Sequence, residues 1–420
     1  MKKPGGLSFQ LLFLMICLHF SRDLNAQNIW IIHNTANSNL PNEYLWDVKA
    51  LPSDTLVVST WGNGFFKFHN YNVVQVLNTS NSIISSNLTT AIHHHNGITY
   101  LGTEGGGFYV DNGTTIQKFT TSNSTLPSNI IYAITHDQNG LIWIATKFGG
   151  VCSFNGNTFT TYNTSNSGIG NNINYAVTID NNNAKWFGSA FGGLSKFQNG
   201  VWTNYTTFNS PLPGNDIYAL AVAPDSALWI GTNNGIARLS GLNWTVYNTA
   251  NSGLTANYVR RLKFDTMGNL WIATSGGGVV QFDGSSWISF TNSNSNLPTN
   301  NIYALDFDSN GKIWVATYGS GLVTTKALGL TTLELNPGIH VFPNPSAGSI
   351  DIVMSEIPDP IFDVFIFDSK GALVDQHQME SLSGGQKTQR IDLSRMPDGI
   401  YAITVSAGGR SFVEKIVLSR

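Results

Sequence analysis

A segment of the form Leu-Trp-Ile-Ala-Thr recurs along this chain at a nearly constant spacing, and no other feature constrains the fold as tightly. Anchored on Val57, Tyr100, Trp143, Trp186, Trp229, Trp271 and Trp314, the copies stand 43, 43, 43, 43, 42 and 43 residues apart. A period of this size marks a repeat architecture, in which each unit covers the hydrophobic face of the next. Each copy divides into four short strands, as in NNIYALDFD (300–308), KIWVAT, GGVVQFD (277–283) and SWISFT (286–291), with Gly, Asn and Asp at the turns.

Four strands in about 43 residues is the scale of one blade in a radial array, so the expected fold is all-β, a seven-bladed β-propeller. The last copy stops after three strands, at Lys326, whereas NIWIIHNTANSNLP (28–41) is a fourth strand without the other three. Trp30 precedes Pro41 by 11 residues, as Trp202 precedes Pro213 and Trp287 precedes Pro298. The N-terminal strand is therefore expected to complete the last blade and leave no open edge. Trp143, Trp186, Trp229, Trp271 and Trp314 fall in a second-strand column, and Trp30, Trp202, Trp244 and Trp287 in a fourth-strand column. Trp46 shares a first-strand column with Tyr132, Tyr175, Tyr218 and Tyr303. All three columns are expected to fill the wedges between blades, and only Trp61 stands outside them.

The ends carry other information. Lys2 and Lys3 precede an apolar run from Leu11 to Phe20 and a polar stretch ending at Ala26, the pattern of a secretory signal cut before Gln27. The run is too short to span a membrane, and no transmembrane segment is expected in the mature chain. With Cys17 in the signal, Cys152 is the one remaining thiol, so no internal disulfide is expected and stability must come from packing.

DQNGLIWIATKFGG (137–150), DTMGNLWIATSGGG (265–278) and DSNGKIWVATYGSG (308–321) resemble the two-component-regulator type of propeller repeat, whose core is Asp-x-x-Gly-x-x-Trp-[IV]-[AG]-Thr followed by Gly-Gly. In that family the propellers often form periplasmic sensor regions that bind glycan fragments; this sequence has no kinase or membrane helix to complete a sensor. Pro343-Asn344-Pro345, an Asp-x-x-Gly-x-x-Val turn at 368–374 and DLSRMPDGIYAITV near the end resemble the type A C-terminal sorting domain of type IX secretion in Bacteroidetes. The resemblance implies a small Ig-like β-sandwich that engages the type IX secretion machinery and is usually then removed. The expected organisation is a signal peptide at 1–26, the propeller at 27–326, a linker at 327–338 and the sorting domain at 339–420.

Ligands usually meet a propeller where the second-to-third-strand turns and the inter-blade loops open together. The Asn column of those loops (Asn87, Asn129, Asn172, Asn215, Asn257 and Asn300, with Glu43 the exception) is expected to bond loop backbone as Asx-turns. The position after the second-strand Thr or Ser varies inside a fixed frame: Trp61, Glu104, Lys147, Ala190, Asn233, Ser275 and Tyr318, with Phe148 and Phe191 next in two blades. Variation there suits recognition, with Trp61, Phe148, Phe191 and Tyr318 stacking on a ligand and Glu104, Lys147 and Asn233 making directional bonds. The candidate ligand-binding residues are thus Trp61, Glu104, Lys147, Phe148, Phe191, Asn233 and Tyr318.

No catalytic, metal or cofactor site is expected. The acids left over from turns, Glu43, Asp47, Glu104, Asp216 and Asp306, have no Ser, His or Cys partner at a recognisable spacing. His93, His94 and His95 read as a turn before a second strand, on the opposite face, where adjacent side chains diverge. Between residues 27 and 330 there are 12 Lys and Arg against 13 Asp and Glu, a balance that excludes a nucleic-acid partner. Arg260 and Arg261 are expected to pair with carboxylates such as Asp306. Asp54-Thr55-Leu56, Asp225-Ser226-Ala227 and Asp265-Thr266-Met267 match a short O-glycosylation motif of exported Bacteroidetes proteins. The expected function is a secreted or cell-surface binding module for glycan, without catalysis. The alternatives are a polysaccharide lyase or other glycan-active enzyme, and an adhesin with a surface-protein ligand.

Overall fold

The computed structural model describes residues 30–325, 339–343, 346–354, 361–367, 373–380, 387–407 and 410–419. The expected signal segment and linker, and parts of the two sorting-domain motifs at 344–345 and 368–372, lie outside them. No helix of the described residues is long and apolar enough to cross a membrane. The chain divides into two compact units, Met1–Ala327 and Leu328–Arg420.

Among its described residues the first unit has seven four-stranded antiparallel sheets, sheets 1 to 7 in chain order. Their first strands are Leu45–Ala50, Thr89–His95, Ile131–His136, Asn174–Ile179, Ile217–Val222, Val259–Phe264 and Ile302–Phe307. Each first strand touches the next, and the seventh touches the first, so the sheets form a closed cycle. The last sheet is made from both chain ends: Trp30–His33 pairs antiparallel with Leu322–Thr325, Trp30 opposite Thr325 and His33 opposite Leu322.

Burial follows from this arrangement. The hydrophobic residues gather into seven clusters, each between one sheet and the next, such as Trp143, Val151, Ile169 and Phe187 between sheets 3 and 4. The second-strand tryptophans lie in these wedges, held by their own motif. The indole N–H groups of Trp143, Trp186, Trp271 and Trp314 donate to Asp137, Asp180, Asp265 and Asp308 at 2.8–3.2 Å. The same carboxylates accept turn backbone N–H groups, as Asp265 does from Met267 and Asn269 at 3.0 and 2.8 Å. The spacing from this Asp to the Trp six residues on is therefore a turn clamp, which accounts for Asp137, Asp180, Asp265 and Asp308 without any chemistry. Cys152 is free and fully buried between sheets 2 and 3, and burial pushes its thiol above the ordinary range, so it is inert.

The second unit has a three-stranded sheet (Ile339–Phe342, Ser349–Met354, Lys387–Asp392) and a four-stranded one (Leu373–Glu380, Ile361–Phe367, Gly399–Ala407, Arg410–Leu418). Both contribute to one core, which includes Ile350, Ile352, Val364, Ile366, Ile391, Ile403 and Ile416. Arg390 makes two 2.8 Å bonds to Asp351 directly across the smaller sheet.

Candidate functional site

One irregularity repeats in every sheet of the ring. The pairing of first to second strand shifts register at Trp46, Thr90, Tyr132, Tyr175, Tyr218, Arg260 and Tyr303, one β-bulge per sheet at the same place. A bulge adds a residue that the partner strand does not match, and so re-aims one side chain. Six of the seven line a common cavity of about 210 Å³, together with Tyr258 and Arg261. Thr90 turns aside instead, and its hydroxyl donates to the Ile131 carbonyl. This corrects the expectation for Trp46 and its tyrosine column, which wall an opening inside the ring rather than fill the wedges between sheets.

The rings around the cavity form two arcs. Tyr132, Tyr175, Tyr218 and Tyr258 follow one another at centroid distances of 5.1, 5.0 and 4.8 Å. Trp61, Trp46, Tyr303, Tyr318 and Tyr44 follow at 5.0, 5.0, 4.9 and 5.0 Å. Arg260 joins the arcs, its guanidinium 4.3 Å from the Tyr258 ring and 4.5 Å from that of Tyr303. Burial holds the phenols of Tyr132, Tyr175, Tyr218 and Tyr303 above their ordinary range, so all four stay protonated and can donate as well as accept.

Beneath the bulge the next column is alanine in five sheets: Ala91, Ala133, Ala176, Ala219 and Ala304, all buried. The other two sheets place Asp47 and Arg261 there, 2.9 Å apart across the inside of the ring. Asp47 also accepts the backbone N–H groups of Val48 and Ile92 at 3.0 and 3.1 Å. A second, smaller cavity of about 80 Å³ lies at this level. Of the two arginines expected to pair with carboxylates such as Asp306, Arg261 does pair with one, Asp47, and neither pairs with Asp306. Burial acts to raise the Asp306 carboxyl, but Lys263 at 2.8 Å and Lys49 at 2.9 Å outweigh it and hold the group down at about 2. Arg260 has no carboxylate within ion-pair distance among the described residues.

The varied turn residues from the sequence lie on the same rim. Their backbone N–H groups bond the start of their own first strands, as Trp61 N–H to Tyr44 and Lys147 N–H to Ile130, and the glycines after them bond the inter-sheet loops. The structure uses them unequally. Trp61 stacks on Trp46 and Tyr318 on Tyr303, extending the aromatic wall outward. Glu104 and Lys147 pair with each other at 3.5 Å, leaving Glu104 Oε2 buried without a hydrogen-bond partner. Asn233 donates to Asp216 at 3.0 Å, and the Phe191 backbone N–H donates to the same carboxylate at 2.8 Å. Phe148 and Phe191 are 64% and 76% exposed, with φ of 73° and 59°, where sheets 1, 2, 6 and 7 have glycine. A bulky residue in the left-handed region costs about 1 kcal/mol or more, so these two aromatics are exposed at the expense of backbone comfort.

The loop asparagines have another use. The Oδ1 atoms of Asn87, Asn129, Asn172, Asn215, Asn257 and Asn300 each accept the backbone N–H eight residues earlier at 2.8–2.9 Å, and Glu43 accepts that of Thr35 at 3.1 Å. They staple the loop across its base instead of forming local Asx-turns.

At the far rim, His93, His94 and His95 end a strand rather than occupy a turn, and their neighbour is His136, one 43-residue period beyond His93 in the next sheet. His93 Nε2 lies 2.9 Å from His136 Nδ1, and the His95 and His136 rings stack at 3.7 Å. No group of three or more metal-ligating side chains is arranged to hold an ion among the described residues. Burial, then His136 and Lys49, lower His93 to about 3, and burial also lowers His94 and His136. These imidazoles are neutral in the fold and charged in the unfolded chain below pH 6.5, so stability is full above that pH and is lost as pH falls toward 3. For His93 alone the slope is about 1.4 kcal/mol per pH unit. Urea midpoints at pH 7.5 and 5.0 should differ clearly in the native chain and much less in His93→Asn.

Residues 125–148, 211–234 and 296–319 match the family model of the two component regulator propeller, and residues 340–419 match that of the secretion system C-terminal sorting domain. Each propeller match runs from an inter-sheet loop through the bulge to the varied turn. No curated protein matches the chain. Among solved structures, the extracellular domain of the hybrid two component system BT3049 from B. thetaiotaomicron is similar at TM-score 0.63 and 17% identity, over 93% of this chain and 58% of its own. PorZ, a surface component of the type-IX secretion system of Porphyromonas gingivalis, is similar at 0.59 and 16%, over 90% and 60%. A virginiamycin B lyase from Staphylococcus aureus is similar at 0.57 and 14%, over 71% and 98%. The chain spans about three fifths of the length of the first two. At these identities the likeness is one of fold.

Proposed function

We propose that this secreted or cell-surface β-propeller protein, built from regulator-type repeats and carrying a C-terminal sorting domain, is a non-catalytic binding module for glycan. The finer architecture we assign is a seven-bladed ring closed by the N-terminal strand, over residues 27–326. A linker at 327–338 then leads to an Ig-like sandwich at 339–420 that engages the type IX secretion machinery, and residues 1–26 are an export signal.

The observation that carries the binding assignment is the cavity of about 210 Å³ walled by Trp46, five tyrosines and two arginines. Its size is below the roughly 300–1,000 Å³ of drug-sized sites, which suits one terminal sugar ring rather than a polymer threaded through the ring. Flat aromatic faces match the C–H faces of a sugar, and protonated phenols match its hydroxyls. Trp61 and Tyr318, and the exposed Phe148 and Phe191 farther out, supply further faces for the adjoining sugars; Glu104, Lys147 and Asn233, engaged with one another or with Asp216, frame the rim.

Support for a non-catalytic role comes from the lining itself, which includes no carboxylate or imidazole and four of whose phenols are kept protonated by burial, so that they are weak bases. A lyase fold-neighbour keeps the enzyme alternative in view, and turnover of a bound oligosaccharide would decide for it. The test is a polysaccharide and oligosaccharide binding screen with the full chain beside Trp61→Ala. Binding by the native protein that falls about tenfold or more in the variant is expected, the loss of one stacked aromatic. Absence of binding to every glycan, with capture of a surface protein instead, would replace this reading by adhesion.

A further inference from the structure

The bulge column holds five aromatic residues, one threonine and one arginine, and the arginine is the exception with an electrostatic consequence. Arg260 stands where sheets 3, 4, 5 and 7 place tyrosine, so its guanidinium enters the cavity wall between rings. It lies 4.3 Å from the ring of Tyr258, 4.5 Å from Tyr303 and 5.7 Å from Tyr218. Its one hydrogen bond to a side chain is a long one, Nη2 donating to the Tyr303 hydroxyl at 3.4 Å, and its Nε is buried without any partner.

Of the other charges nearby, all but that of Asp216, which lies outside the lining, are paired with an opposite charge. Arg261 is neutralised by Asp47 at 2.9 Å, and Glu104 by Lys147 at 3.5 Å. Asp216 accepts from the Asn233 amide and the Phe191 N–H, and makes no ion pair with Arg260. Tyr132, Tyr175, Tyr218 and Tyr303 are held protonated by burial and contribute no negative charge. The cavity wall therefore carries one uncompensated cation, packed among aromatic rings, with unused N–H capacity. An unmatched buried donor is costly, and a planar guanidinium fixed by stacked rings presents the fork that fits a carboxylate.

We propose that the glycan taken by this cavity is acidic: a uronic-acid residue whose carboxylate pairs with Arg260 while its ring lies against the aromatic wall. The proposal rests on the glycan reading and narrows it, making Arg260 the residue that sets charge selectivity. Neutral sugars would leave the guanidinium unmatched as they displace water from it. A charge-assisted bond of this kind corresponds to about tenfold or more in affinity.

The experiment is titration calorimetry on the full chain with matched pairs of oligosaccharides: galacturonate, mannuronate and glucuronate oligomers, each beside its carboxyl-reduced neutral counterpart. At least one acid should bind about tenfold or more tightly than its reduced partner, and more weakly as salt rises. Arg260→Met should bring that acid to the level of the reduced form. Arg260→Lys keeps the charge but not the fork, and should retain part of the difference; it also decides the matter if the methionine variant does not fold. Equal binding of acid and reduced forms, or an acid preference untouched by both variants, would overturn the role of Arg260 and leave the glycan reading intact. If no member of any pair binds, the uronate proposal falls, and the glycan reading stands or falls by the wider polysaccharide and oligosaccharide screen.

Discussion

A chain that begins at Asn34, made without export, is expected to lose the cooperative unfolding of its ring. The missing strand, Trp30–His33, is the outer strand of sheet 7, and Trp30 is 2% exposed in a cluster with Val279, Leu297, Ile302 and Val323. Truncating an aromatic so buried costs about 3–5 kcal/mol by itself. Its loss also frees the ladder to Leu322–Thr325 and the two bonds between Asn296 and the Trp30 backbone, at 3.0 and 2.7 Å. The total approaches the ~5–15 kcal/mol that holds a whole domain together. The exposed edge of Leu322–Thr325 would then invite pairing between molecules. Calorimetry and light scattering read both effects. The control is a variant of that truncated chain with Trp30–His33 reinserted after Thr325 through Asp-Gly-Ser-Ser, the hairpin that joins Phe282 to Trp287 in sheet 6. Recovery of the melting transition there would show that the strand's place in the sheet matters, and not its place in the chain. If the truncated chain melts like the native one, closure by the chain ends contributes nothing.

The second large effect concerns Asp47 and Arg261. Removing one member of a buried ion pair strands the other, a loss of about 3 kcal/mol or more, while replacing both by apolar groups is often close to neutral. Asp47→Ala and Arg261→Ala should each lower the urea midpoint substantially, and the double variant should recover most of the loss. The double variant is well placed to do so because five sheets already have alanine in that column. In Arg261→Ala, burial pushes the Asp47 carboxyl further above its ordinary range, since the guanidinium that opposes the shift is gone. The penalty should therefore be largest at neutral pH and shrink as the carboxyl protonates on acidification. Additive losses in the double variant would mean that the two charges are held by other neighbours.

The ring itself was legible because its signals are local and redundant. A fixed period, Gly and Asn at the turns and an orphan strand beside Trp30 leave few arrangements open. The cavity was harder to see, for a geometric reason. In a regular strand parity decides which face a side chain takes, and a bulge reverses that parity for one residue without any mark of its own in the sequence. Trp46 and the column of Tyr132, Tyr175, Tyr218 and Tyr303 therefore looked like wedge packing. The usable sign was the next column, where alanine follows tyrosine four times, because space narrows below the mouth. The partner of Arg261 was legible in the same way. Asp47 and Arg261 are the two exceptions in a column of alanine, although 214 positions apart. The bonds that occupy Asn233 and Lys147 were not legible, since they depend on side chains meeting across the rim. His136 beside His93 was within reach, since it stands one 43-residue period on, in the same column of the next sheet.

Closure by the chain ends also fixes how the ring would carry a load. In sheets 1 to 6 the third strand runs on through a hairpin into the fourth. In sheet 7 the third strand, Leu322–Thr325, leads away toward residues 328–420, yet it is hydrogen-bonded along both edges, to Ile313–Thr317 and to Trp30–His33. A tether pulled from the C-terminal side thus draws along the axis of a strand gripped on two sides, so both ladders resist in shear at once. Were the chain to leave from an outermost strand, the same force could peel one ladder open bond by bond. A protein held at a cell surface through its C-terminal end would meet drag and shaking through a strand seated between two others.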